Sequence, residues 1–148
     1  METRYLSKCH ANWVSEHPLK AYEKLATHEL TASLHAANML FDKAIPFYGY
    51  SFEIAEILLN SGCYPSLILH HKLALYGVSL AELYELKNQP FMKRQILKRA
   101  YESIFQAQDK SDQHVSEEKM LTCLKSISKT LLTPLSLSSA YYSSANSH

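Results

Sequence analysis

The sequence predicts an all-α protein of antiparallel helical hairpins, about five to six helices in all, and three observations carry that expectation. Its 148 residues include only 3 Gly and 5 Pro, few for the tight turns of a many-stranded β fold. Apolar residues recur at steps of three and four through most of the chain, the spacing that gathers side chains on one face of a helix. Proline, glycine and asparagine interrupt these stripes at intervals of a helix length.

In chain order, Leu6, Cys9 and Trp13 share a face if Thr3 to Ser15 is helical. Pro18 suits the first turn of a second helix, where its missing N–H breaks no hydrogen bond, and Tyr22, Leu25, Ala26, Leu30, Ala32 and Leu34 read as the apolar side. Asn38 is placed to cap a third helix at Met39, yet Pro46 and Gly49 fall inside that stretch, so a kink or a later start is expected. The run Phe52, Ile54, Ala55, Ile57, Leu58 and Leu59 continues the helix to a stop at Asn60-Ser61-Gly62, and Glu53 with Glu56 is assigned to its solvent face.

After a connector from Cys63 to Ser66, a fourth helix from Ser66 to Leu86 carries Leu69, Leu73, Tyr76, Leu80, Leu83 and Tyr84. Lys87-Asn88-Gln89-Pro90 ends it, and Phe91 to Gln108 restarts with Ile96, Leu97, Ala100, Ile104 and Phe105 on one side. Asp109 to Gln113 reads as a polar linker. Ser116 then caps a last helix reaching Leu132, with Glu117 and Glu118 near the positive end of its dipole and Leu121, Leu124, Ile127 and Leu131 as its stripe. The expected organisation is one domain over 1–133 and a flexible Ser-rich tail over 134–148.

Fifteen basic and fourteen acidic side chains give a net charge of +1, so no long-range field gathers nucleic acid, an anionic membrane or an acidic substrate. Cys9, Cys63 and Cys123 are odd in number and lack CxxC spacing, which suits reduced thiols in a cytoplasmic protein. The first thirteen residues are broken by Arg4, Lys8, His10 and Asn12, unlike a secretory signal, and no apolar stretch approaches the ~20 residues of a membrane span.

Small residues fall at regular places in this pattern. Ala44, Tyr48 and Ser51 recur at steps of four and three, and Ala32 lies where a preceding helix would cross closely. Leu80 with Ala81, Tyr84, Leu97 and Ala100 repeat the arrangement later. This pattern resembles the tetratricopeptide (TPR) repeat, with repeats at about 25–58 and 74–107 and a capping helix at 116–132. Lys93 departs from the family's alanine, Gly77 stands at a large position, and His28 and Thr31 match poorly. An unrelated helical bundle with the same stripes is the alternative.

The resemblance implies a non-catalytic interaction module, an adaptor, co-chaperone or regulator, whose first helices line a peptide groove. Through the second register that groove is formed by Leu75, Val78, Glu82 and Glu85, with His71 one turn upstream; a protein or peptide with an apolar anchor and a basic neighbour fits it. The C-terminal helix is an equal claimant to the same face. A second reading is an RNA- or phosphate-binding regulatory domain using the basic turn Lys93, Arg94, Lys98 and Arg99; a third is a helical homodimer.

No catalytic constellation, cofactor or metal is assigned. His28-Glu29 lacks the second histidine of a zinc-protease helix, and adjacent His70 and His71 diverge by roughly 100°. Cys9 and His10, as neighbours on a helix, also point apart, and neither a GxSxG turn nor a glycine-rich phosphate loop is present.

Overall fold

The computed structural model describes residues 3–105 and 115–130, which form six α-helices. These are α1 Lys8–Glu16, α2 Pro18–Ala37, α3 Phe41–Ser61, α4 Ser66–Leu86, α5 Pro90–Phe105 and α6 Glu117–Thr130. Among the described residues there is no strand, and no helix is long and apolar enough to cross a membrane. The expected linker at 109–113, the last residues of the fifth and sixth predicted helices and the segment 134–148 lie outside the described residues.

Local chemistry explains most helix ends. Ser7 caps α1, its Oγ accepting from the His10 N–H at 3.1 Å. Pro18 opens α2, Gly62 closes α3 in the left-handed conformation at φ 70°, and Ser116 caps α6 by accepting from the Lys119 N–H at 3.1 Å.

Three expectations change. The first helix starts at Lys8 rather than Thr3, because the amides of Tyr5 and Leu6 are bonded to a side chain of α3. Asn38 closes α2 instead of opening α3: its Nδ2 donates to the Leu34 carbonyl at 3.1 Å, and α3 begins at Phe41 and runs through Pro46 and Gly49. Of the side expected for α2, Leu25 and Ala32 are buried and Tyr22 is half-buried, whereas Ala26, Leu30 and Leu34 face solvent.

Successive helices α2 to α5 pack in series, α2 on α3, α3 on α4 and α4 on α5, while α6 lies across α4 and α5. Phe52, Leu58, Leu69, Leu73, Tyr76, Leu80 and Leu97 fill the space between them without exposure. The small residues of the pattern, Ala32, Ala44, Ser51, Ala81 and Ala100, are all buried. At Gly77 even one methyl is excluded, since a Cβ built there meets the Ala100 Cβ at 2.8 Å. The glycine that breaks the repeat pattern is therefore a consequence of how tightly α4 and α5 approach.

The α2–α3 and α4–α5 hairpins close through the same turn. Met39 and Asn88 both adopt φ 60°, the Asn38 and Lys87 N–H groups donate to Leu34 and Leu83, and the Leu40 and Gln89 N–H groups donate to His35 and Tyr84 at 2.8 and 2.9 Å. The interval from Met39 to Asn88 equals that between the predicted repeat starts, Leu25 and Ala74. A left-handed methionine costs about 1 kcal/mol, which the bonds of the turn offset.

Gly77→Ala should lower stability by about 1–3 kcal/mol, despite alanine's better helix propensity, because the added methyl overpacks the crossing. Ala100→Gly in the same chain should recover part of that loss. Urea denaturation of both variants measures it, and a more stable single variant would show that the crossing has slack.

Candidate interaction surfaces

The face of α4 expected to form a groove is largely covered. His71 and Val78 are buried, Leu75 is half-buried against the core, and only Glu82 and Glu85 are exposed. The cover at the His71 end is α6, whose own buried face includes Met120 and Leu124 and whose Ile127 backbone meets the His71 ring. An amphipathic helix must place its apolar stripe somewhere, and the α4 face is the apolar surface within its reach. Burial, with Lys72 adding to it, lowers the proton affinity of His71, while Ile127 and Glu29 oppose that effect. Its Nδ1 has no hydrogen-bond partner.

The basic turn on α5 is engaged with carboxylates. Lys93 Nζ lies 3.0 Å from Glu85 and 3.4 Å from Glu117, and Arg94 Nε lies 3.4 Å from Glu117. Glu85 chiefly, joined by Glu117, raises the Lys93 ammonium above its usual range. Lys98 is exposed. Arg99 is turned inward: Nη2 bonds Glu53 Oε2 at 3.0 Å and Glu56 Oε1 at 2.6 Å, Nε bonds Glu56 Oε2 at 3.0 Å, and Nη1 bonds the Thr3 carbonyl at 2.8 Å. Three of the four cations expected to meet an anion thus already hold carboxylates of this chain.

The assignment of Glu53 to solvent is overturned, since it is only 4% exposed. Its Oε1 accepts from the backbone N–H of Tyr5 at 3.0 Å and of Leu6 at 2.6 Å. The Tyr5 ring covers Gly49, where a Cβ would come within 2.1 Å of it, and the Tyr5 hydroxyl pairs with that of Tyr84 at 2.6 Å. Burial first, then this bond to Tyr84, pushes ionisation of the Tyr5 phenol far above its ordinary range. Sequence reasoning missed this hub because its partners come from α3, α4, α5 and the N-terminal segment; the sole local hint was a carboxylate set among Phe52, Ile54 and Ala55.

The outer face of α2 is of a different kind. Leu19, Leu30 and Leu34 are 70%, 61% and 56% exposed, and Met39 and Leu40 at the following turn are 74% and 43% exposed. Ala26 and Ala37 lie along the same stripe. The histidines singled out on this helix face elsewhere: His28 and His35 both lie against the Phe47 ring of α3.

These features define an all-helical protein of serially packed hairpins with a buried ionic hub and an exposed apolar helix face. Comparison with known proteins finds no matching family model, no similar curated protein and no similar solved structure.

Replacing Arg99 by Met should destabilise the fold by about 3–5 kcal/mol, since it leaves two carboxylates facing each other in a largely buried site. Glu53→Gln should cost less, because the amide oxygen still accepts from Tyr5 and Leu6. Chemical denaturation that ranks them the other way would deny Arg99 its central place. Acidification gives a second check. The folded state disfavours protonated His71, and His28 and His70 likewise through burial, whereas unfolded histidines take up protons near pH 6.5. Their contribution is therefore complete above ~pH 6.5 and is lost as the pH falls below it, so the urea midpoint should drop between about pH 7.5 and 5.5. His71→Gln should flatten that dependence; an unchanged slope would remove His71 from the account.

Proposed function

We propose that this chain is a non-catalytic protein-interaction module of the TPR-like kind, which meets its partner through the outer face of α2 and the α2–α3 turn. The observation that carries this reading is the exposed row Leu19, Leu30, Leu34, Met39 and Leu40. A helix at a protein surface ordinarily turns one apolar stripe inward and a polar one to water. Here α2 has Leu25 and Ala32 inward and Leu19, Leu30 and Leu34 exposed outward as well, and exposed apolar side chains gathered on one helix face suit a surface used for contact.

The TPR-like character is supported by two hairpins closed with one turn geometry in the predicted repeat register, and by the burial of the small residues of the pattern. The partner that suits the α2 face is another protein presenting an apolar helix or strand edge, with Glu23, Lys20 and Lys24 available for a polar rim. Exposed, unpaired Cys9 and Cys63 are in keeping with a reducing compartment such as the cytoplasm.

Leu30→Glu combined with Leu34→Glu tests the reading. Both side chains are exposed, so folding stability should move by no more than about 0.5 kcal/mol each. Immobilised wild-type protein should retain a partner that the double variant releases. The same partners on both proteins, with both folded by circular dichroism, would remove the α2 face from the function.

A further inference from the structure

From the same structure we infer that the cleft between α3 and α5 is a peptide-binding slot, occupied in cis by residues 3–6. It accepts in trans an extended segment of a partner protein with a tyrosine followed by an aliphatic residue. The inference stands on residues other than the α2 face, so either can fail without the other.

The contacts are those of a receptor with a ligand. Residues 3–6 belong to no helix, and their main chain is read by side chains of the body: Glu53 takes two successive N–H groups, and Arg99 donates to the carbonyl of Thr3. Main-chain reading of this sort binds any extended segment, and selectivity comes from where the side chains go. One side chain is selected strongly. The Tyr5 ring occupies the space left by the missing Cβ of Gly49, and its hydroxyl reaches Tyr84 at 2.6 Å, a bond phenylalanine cannot make.

Hydrogen bonding favours such a ligand. Glu53 and Glu56 both face the Arg99 guanidinium, and Glu53 Oε1 accepts from the main chain of the segment. Without a segment in place, Glu53 would lose two of the donors it accepts from in a largely buried cleft, so the slot favours being filled. Residues 3–6 run into Ser7, the cap at which α1 starts, and contribute to no helix, so local opening of the segment need not unpack the helices. Beside Thr3 and Tyr5 a cavity of about 20 Å³ opens against Met92, Gln95, Ile96 and Arg99. That is room for one water molecule. Along Gln95 and Arg99 it adjoins an open recess that includes Arg94, Lys98 and Glu102, where residues preceding the tyrosine of a longer ligand would lie.

The test uses the full chain carrying Tyr5→Ala and a fluorescent synthetic peptide with the sequence of residues 1–7. The variant should bind the peptide one to one, and wild-type protein about ten-fold or more weakly, because its own segment competes at high effective concentration. A peptide with phenylalanine in place of its tyrosine should bind less well, and Gly49→Leu added to Tyr5→Ala should abolish binding by filling the slot. A folded Tyr5→Ala protein that ignores the peptide, or binding indifferent to Gly49→Leu, overturns the inference. So does a wild-type dimer formed by exchange of residues 3–6, seen by light scattering. Should Tyr5→Ala fail to fold, hydrogen exchange of wild-type protein decides. The Tyr5 and Leu6 amides should exchange at least about ten-fold faster than those of buried α4 residues such as Leu80. Equal rates mean that the segment leaves only when the whole protein unfolds, and would refute the proposal.

Discussion

Where α4 crosses α5, Gly77 faces Ala100 with no space for another methyl, and this close approach sets the geometry of the surrounding helices. Interiors pack at near-crystalline density, so bringing two axes together at one point fixes which larger side chains can meet on either side. Tyr76, Leu80 and Leu97 then fill the flanking space completely. In the first hairpin the small residues Ala32, Ala44 and Ser51 are buried as well. The two hairpins share the turn at Met39 and Asn88, and the first accepts a left-handed methionine there.

Packing of this density leaves polar groups few places to go, and the hub around Arg99 is where they were admitted. Every formal charge in it has an opposite partner or a donor: Glu53 has Arg99 and two amides, while Glu56 has Arg99 and the Ser103 hydroxyl at 3.0 Å. Such a hub adds little net stability over an apolar core, but its geometry specifies what lies against it. The Arg99 guanidinium also rests over the Phe52 ring at 5.1 Å, which ties its orientation to the core beneath. Thus the Arg99 guanidinium ties together α3, α5 and the Thr3 carbonyl.

The two long faces of the protein have contrasting fates for a related reason. The α4 face is covered because α6 brings Met120, Leu124 and Ile127 to it. No described element does the same for Leu30 and Leu34 of α2. Among the described residues, Leu30 and Leu34 therefore stay exposed while the α4 face is covered.

By itself the sequence determined the helices and many of their ends. Periodicity at three and four residues, Pro18, Gly62 and Ser116 act within a turn or two of chain, and such effects can be read without knowing the neighbours. The spacing of small residues also marked buried positions, since Ala32, Ala44, Ser51, Ala81 and Ala100 are all buried. Tertiary structure alone decided which apolar side of α2 is buried, why Gly77 is a glycine, and that Glu53, Glu56 and Arg99 belong together. Those outcomes depend on residues more than forty positions apart in the chain, such as Arg99 and Glu53, being brought within hydrogen-bonding distance. Even the start of α1 was decided that way, since the amides of Tyr5 and Leu6 could serve a helix or a distant carboxylate, and only the packed structure offers the second.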